Sequence, residues 1–460
     1  EIYNHKYLRN FLINKGYKFK SLNDTEVVAN SYHYWGKKFL SKIEGQFALV
    51  VYDKKNKIGV IARDEHGICP LYYYKDKRKI IFSSTPDSIF CQNKKKLKIH
   101  KKAFADYIVS GCITEGNTIY DKIKYLSPGS FFEFKNSTRI QEKEFIKKSN
   151  FSKILNNKIQ NKKYYINEIY NSLKNNVKEA IHGDKRVGIF LSSGLDSVLI
   201  LAFYKYLYPK LKINTYTAAF EHINNKKLIG EMHNVKRICK YFKVPNKIVK
   251  IKSNNLIKTL GSFSQPSSGI LEFTNQALAE EARKDNVEVI LSGEGSDEMF
   301  FGYDHNLSII SHFKKEFKFL SKKYKFRNNL IKDISNKNIK LEDLFLFGGA
   351  NIDLDFNRKK IFNKTILKTS SIKKTVSKLI KNYKLKNPQD ADKLVVLLDY
   401  HIKVPELFLR RADYPSMNAG VEMRFPFLSK SLKNLLYNTP LKYKIDKSLV
   451  QKMLLREVAK

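Results

Sequence analysis

Two short loops carry most of the residues able to do chemistry. The first is Phe190-Leu-Ser-Ser-Gly-Leu-Asp-Ser197. Its small residues leave backbone N–H groups free to point at one ligand. A strand ending at Leu191 and a helix starting near Ser197 would make that turn an anion site. Gly194 permits a tight turn, and Ser192, Ser193 and Ser197 add hydroxyl donors. Asp196 would repel a bare phosphate, and it makes sense if Mg²⁺ lies between carboxylate and phosphate. The spacing is not that of a Walker loop, which needs a lysine after its last glycine. The second loop is Leu291-Ser-Gly-Glu-Gly-Ser-Asp-Glu298, again after an apolar run. Glu294 and Asp297 supply two carboxylates: one could hold a metal, and the other could act as a base or orient an amine. Either loop alone is also compatible with an ordinary helix cap. Two of them at one sheet edge point to a nucleotide that is split there.

Those loops need a frame. Arg186–Leu191, Ile213–Phe220, Lys247–Ile251 and Val287–Leu291 read as strands; Ser197–Tyr204, Glu231–Phe242 and Leu271–Lys284 read as helices. Such alternation predicts right-handed crossovers and a doubly wound parallel sheet, whose ligands bind at the carboxyl ends of the strands. Residues 1–148 have a different rhythm, with short β-rich runs at Gln46–Tyr52, Ile58–Ala62, Pro70–Tyr74, Ile80–Ser83 and Phe131–Phe134. They predict packed antiparallel sheets with a few helices. The Lys/Asn-rich stretch 149–163 reads as a linker, residues 305–390 as Lys-rich helix, and 391–460 as helical again. The expected division is therefore 1–148, 149–163 and 164–460.

Composition narrows the functional classes. The chain has 460 residues, 86 Lys+Arg against 44 Asp+Glu and a net charge of +42. With 42% hydrophobic residues it can build real cores, which excludes a mainly disordered chain. No apolar run approaches the roughly 18 residues of a membrane span, so no membrane partner is expected. The four cysteines are widely spaced, which fits a reducing, cytoplasmic setting. The lysines are dispersed along the whole chain, whereas a nucleic-acid binder gathers its cations on one element, so no nucleic-acid partner is expected.

The motifs resemble those of the asparagine synthetase type of glutamine amidotransferase. Ser192–Ser197 is similar to the SGGLDS pyrophosphate loop of ATP-pyrophosphatases, with Ser193 for the first glycine. Leu291–Glu298 resembles the family's LSGEGSDE loop. Arg411-Ala-Asp-Tyr-Pro-Ser-Met417 and Val421-Glu-Met-Arg-Phe-Pro-Phe-Leu428 resemble its RxDxxSM and VExRxPFLD stretches, and Gln451–Glu457 its late lysine motif. Glu1–His5, Asn23–Glu26 and Arg63–Tyr72 look like its glutaminase motifs.

The resemblance implies an α+β N-terminal-nucleophile sandwich, truncated at its start, followed by an α/β ATP-pyrophosphatase domain. The implied reaction adenylates aspartate with Mg-ATP and amidates it with ammonia drawn from glutamine. Phe190, Leu191, Ser192, Ser193, Gly194, Leu195, Asp196, Ser197, Ser292 and Gly293 would contact ATP, and Ala218 would take the adenine. Asp196 and Asp297 would hold Mg²⁺. Glu294 and Lys452 would be catalytic. Glu1 and Asp24 would bind glutamine. The partners implied are small molecules, with a homodimer allowed. Because residue 1 falls inside a motif, the family's cysteine nucleophile would lie upstream of it, and this stretch is expected to use ammonium and not glutamine. Phe301 stands where the family has glycine, Ser429 where it has aspartate, and Gln265–Ser268 lacks acidic residues. These departures leave another acid open as acceptor, such as a sugar uronic acid in surface-polysaccharide assembly.

Overall fold

The computed structural model describes residues 1–77, 79–92, 98–135, 142–145, 160–181, 186–220, 226–251, 265–266, 270–304, 306–307, 310, 369–385, 390–445 and 450–460. The predicted Lys-rich helix around Lys314–Lys323 lies outside them, as do 149–159 of the expected linker and Ser267 and Ser268. Two compact units divide the chain: residues 1–104 with 113–149, and 105–112 with 150–460.

In the first unit, α1 (His5–Ile13) and α2 (Asp24–Trp35) precede the strands β1 (Ala48–Asp53), β2 (Ile58–Arg63), β3 (Tyr72–Lys75) and β4 (Ile80–Ser83). Helices α3 (Pro86–Cys91) and α4 (Lys101–Ser110) follow, then β5 (Ile123–Tyr125), β6 (Ser130–Lys135) and β7 (Glu142–Glu144). The strands form two antiparallel sheets, ordered β1-β2-β6-β7 and β4-β3-β5. Strand alternation assigns each face. Val60 and Ala62 of β2 join Leu8, Leu12 and Val27 of the helices in one core. Ile61, between them, points the other way and packs with Phe132, against which Tyr73 of β3 sets its ring edge-on. Tyr72 and Tyr74 turn away to meet Ile89 of α3. The order of layers is therefore helices, sheet, sheet, helix.

The second unit begins in mid-helix. Residues Ala105–Cys112 of the α4 region pack with it although they lie deep inside the first 148 residues. The physical reason is Asp106, whose buried carboxylate accepts hydrogen bonds from Ser371 N (2.6 Å), Ser371 Oγ (2.7 Å) and Ser370 Oγ (2.9 Å). Asn161 then caps α5 (Lys162–Ala180) through Tyr164 N at 2.8 Å, inside the expected linker.

Five parallel strands follow. They are β8 (Val187–Phe190), β9 (Asn214–Phe220), β10 (Asn246–Ile251), β11 (Val289–Leu291) and β12 (Glu422–Arg424). Their spatial order is β10-β9-β8-β11-β12. Three helices sit between consecutive strands: α6 (Leu195–Leu207), α7 (Lys226–Phe242) and α8 (Leu271–Lys284). Ile189 and all of β11 are fully buried, as expected for central strands covered on both faces. The predicted alternation is present, with one correction: residues 391–460 are not purely helical, because β12 adds the fifth strand from within Val421–Leu428.

The remaining described helices are α9 (Ser296–Phe300), α10 (Ile372–Asn382), α11 (Ala391–Leu398), α12 (Leu409–Asn418), α13 (Lys430–Asn438), α14 (Leu441–Lys444) and α15 (Met453–Val458). Between α11 and α12 the ten residues Asp399–Phe408 form a π-helix. Pro405 lies within it, and its missing N–H and its ring both disfavour regular α-turns there. Ile372, Val376, Leu394, Leu398 and Ile402 share one apolar core that anchors this run.

Candidate active site

The strand order reverses between β8 and β11. The chain moves outward through β9 and β10 on one side, then crosses to β11 and β12 on the other. A crevice opens at the carboxyl ends of the two strands flanking such a reversal. The two sequence loops, 191–197 and 292–298, leave those two strands.

The first loop is wound around its own hydroxyls. Ser197 Oγ donates to the carbonyl of Ser192 at 3.1 Å and accepts from Ser192 N at 3.1 Å. Gly194 N donates to Ser192 Oγ at 3.1 Å. Asp196 falls in the first turn of α6. Leu191 is fixed by its N–H to Tyr216 O (2.9 Å) and by Thr217 Oγ1 donating to its carbonyl (2.7 Å). Strand parity then settles Ala218. Tyr216 bonds toward β8 and Thr215 toward β10, so the backbone groups of Ala218 turn to the β8 side, beyond the last bond of that ladder.

The second loop lies against the first. A Cβ on Gly293 would sit 2.9 Å from Asp196 Cβ and 3.2 Å from Ser197 N, so this position must be glycine for the loops to close up. Gly295 supplies a left-handed turn at φ +91°. Ser296 Oγ donates to Asp196 Oδ1 at 2.7 Å. Lys452, just before α15, reaches both loops: its Nζ is 2.5 Å from Asp196 Oδ2 and 2.7 Å from Asp297 Oδ1. It holds a left-handed backbone, φ +56°, which is costly for a non-glycine residue and is found where position matters. Burial raises the Asp297 pKa, against the lowering effect of Lys452. Two carboxylates from two loops thus converge on one ammonium.

Beyond this triad lies a buried acidic cluster. The Glu294 pKa is pushed up to about 8, first by burial, then by Glu298, with Glu272 adding to it and Arg411 opposing. The Glu298 pKa rises to about 7, again through burial, while the Tyr303 hydroxyl donates to Glu298 Oε1 at 2.6 Å. Glu272 Oε1 pairs with Arg411 Nε at 3.2 Å, and Asn275 Nδ2 donates to the Arg411 carbonyl at 2.9 Å. In the π-helix, Asp399 pairs with Lys403 at 2.6 Å, both buried.

The structure thus brings Phe190, Leu191, Ser192, Ser193, Gly194, Leu195, Asp196, Ser197, Ala218, Ser292, Gly293, Glu294 and Asp297 to one end of one sheet or to the loops leaving it, and Lys452 reaches those loops from the start of α15. Glu1 and Asp24 lie in the first unit, where Ile2 N donates to Asp24 Oδ2 at 2.9 Å. Asp64 accepts from the N–H groups of Phe47, His66, Ile68 and Cys69, and Arg63 donates to the carbonyls of Gly67, Cys69 and Leu126 and to the Tyr125 hydroxyl. That motif is a folded clasp. Sequence reading missed Ser296, Glu272, Asn275 and the Glu298–Tyr303 pair. Ser296 was findable inside its loop, whereas nothing local marks Glu272 or Asn275.

One departure from the family motifs has a physical explanation, and another carries a conformational cost. Ser429 caps α13 by accepting from Leu432 N at 3.2 Å, and Asn176 Nδ2 donates to it at 2.8 Å. Serine and aspartate are comparable caps, so this exchange has a helix-capping explanation. Phe301 adopts the left-handed conformation, φ +56°, that a glycine would take without strain. Its ring is buried, with Lys444 Nζ 5.4 Å from its centroid.

The family model described as asparagine synthase matches residues 168–460, and that of a glutamine amidotransferase domain matches residues 1–146. The chain belongs to the asparagine synthase family, with a glutamine amidotransferase domain ahead of its asparagine synthase domain. Three glutamine-hydrolyzing asparagine synthetases of Bacillus subtilis are similar to it. The first is 28% identical over 471 residues, covering 100% of this chain and 72% of its own length. The second is 27% identical and covers 67% of this chain and 42% of its own length. The third is 24% identical and covers 99% and 71%. An NH3-dependent NAD synthetase from Campylobacter jejuni aligns with 50% of this chain and 98% of its own at 16% identity, with a TM-score of 0.23.

Proposed function

We propose that this protein makes an amide from a carboxylic acid, with aspartate as the acid, by way of an acyl-adenylate. The observation that carries the reading is the meeting of Asp196, Asp297 and Lys452 at the switch point of the parallel sheet. ATP would lie over loop 191–197, with its adenine against the backbone of Ala218 and with Ser292 and Gly293 on its other side. The acceptor carboxylate oxygen attacks the α-phosphorus. The bond to the bridging oxygen breaks, and pyrophosphate leaves with the electron pair. Lys452 would neutralise the charge gathered on phosphorus, which counts for more in a buried site than in water.

Among the described residues, no cluster of three or more His, Cys, Asp or Glu could hold a metal alone. Asp196 and Asp297 do fit Mg²⁺, which takes one or two carboxylates and fills its shell with phosphate oxygens and water. Bound there, the ion would offset phosphate charge. Glu294 stands beside the acyl carbon in this reading. It accepts the proton shed as ammonia attacks and AMP departs, and a carboxyl titrating near 8 suits that task at physiological pH.

The match of residues 1–146 supports glutamine as the nitrogen source, with Glu1 and Asp24 at its binding site and the two-sheet unit as a sandwich of the N-terminal-nucleophile kind. The relatives' names support aspartate over a sugar acid as acceptor. Asp196→Asn tests the metal role. It should abolish AMP formation while the far-ultraviolet spectrum stays unchanged, and AMP production near the wild-type rate would remove that role.

A further inference from the structure

Glu272 occupies the first turn of α8 and is only 5% exposed. Its Oε1 is committed to Arg411, but its Oε2 is buried and accepts no hydrogen bond among the described residues. Leaving a buried acceptor without a donor is costly, and more so when it is charged. Such a group persists where a ligand completes it. One turn further on, Asn275 hydrogen-bonds both the Arg411 carbonyl and the side chain of Glu294. The same helix face therefore presents an unfilled carboxylate oxygen next to the proposed base. Fixed charge around that point is unbalanced. Glu272, Glu294 and Glu298 gather around the Arg411 guanidinium, with Arg410 the next cation, acting with Arg411 at Tyr107. Tyr107 of α4 faces the Glu272–Arg411 pair and brings no cation.

We propose that Glu272 Oε2 is the docking point for an ammonium group on the nitrogen side of the site. The ligand chemistry is an N–H donor carrying positive charge. Its source is either dissolved ammonium or the amino group of an amino-acid acceptor. This rests on the function proposed above.

Glu272→Gln tests it, because glutamine keeps the volume and an oxygen for Arg411 while deleting the charge. AMP formation is measured with ammonium chloride varied at saturating aspartate, then with aspartate varied at saturating ammonium chloride. One of the two KM values should rise about 10-fold or more with kcat within about threefold. A rise for ammonium assigns the point to the incoming nitrogen. A rise for aspartate, with none for succinate, assigns it to the acceptor's amino group. Unchanged KM values, or a fall in kcat alone, would overturn the proposal and leave Glu272 as a brace for Arg411. Aspartate-dependent exchange of pyrophosphate into ATP without any nitrogen source is followed in parallel. Its loss in wild-type protein would strike the underlying reaction, whereas its survival with unmoved KM values strikes this inference alone. Should the variant not fold, wild-type protein gives a second reading. Ammonium chloride should raise its Tm above that in tetramethylammonium chloride at equal ionic strength, or aspartate should raise it above that in succinate, and equal Tm values within both pairs would overturn the proposal.

Discussion

Burial raises the pKa of all three carboxylates in the second loop, and at Glu294 the shift has a thermodynamic consequence. Its pKa rises from 4.5 in the free side chain to about 8 in the folded chain. Between those values the native state holds a proton that the unfolded state has lost. Stability contributed by this group is therefore complete below pH 4.5 and declines as pH rises toward 8. Glu294→Gln removes the penalty. The variant should gain roughly 2–4 kcal/mol over wild type at pH 8.5 relative to any gain at pH 5, on the scale of about 1.4 kcal/mol per pKa unit. Paired thermal melts at the two pH values check this, and an equal effect at both would show a carboxyl that titrates normally. The same variant should lose most AMP-forming activity, since an amide cannot accept the proton. A site stabilised by removing its proposed base is one where folding and chemistry oppose each other.

At the scale of elements, the site depends on how closely two loops approach. Gly293→Ala places a methyl against Asp196 Cβ and the start of α6. The loops must separate, which draws Asp196 away from Lys452. AMP formation should fall at least 100-fold with Tm lowered only slightly, and a variant with unchanged AMP formation would show that the loops can part without harm. Ser429 gives the opposite kind of test. Ser429→Ala should cost about 1 kcal/mol through the lost cap on α13, and Ser429→Asp should restore it. Neither should change the ratio of rates on aspartate and on a uronic acid; a changed ratio would return this position to the acceptor side. The loops themselves were legible in the sequence because each sits between an apolar run and a helix. Their partners were not. Glu272 and Asn275 act through contacts with Arg411, 136 and more residues away, and no local pattern marks such a pair. β12 escaped because its three residues carry two charges, and Arg424 is buried only because Glu422 Oε1 and the carbonyl of Ala180 accept from it.

For the whole molecule, the strand order is the feature that gives the loops their meaning. The alternation of strands and helices was readable from residues 186–291. The reversal between β8 and β11 was not, because strand order is set by which helix packs on which face and leaves no mark in any single segment. The high net charge, by contrast, is spread over dispersed lysines and marks no site, and the groups that meet at the candidate site are mostly carboxylates. The central claim is that ATP is split between its α- and β-phosphates to activate an acid before nitrogen arrives. Radiolabelled pyrophosphate, Mg-ATP and aspartate, with no ammonium and no glutamine, test it most directly. The account predicts label entering ATP at a rate that depends on aspartate and vanishes in Asp196→Asn. Release of ADP and phosphate, or exchange indifferent to the acid, would contradict it.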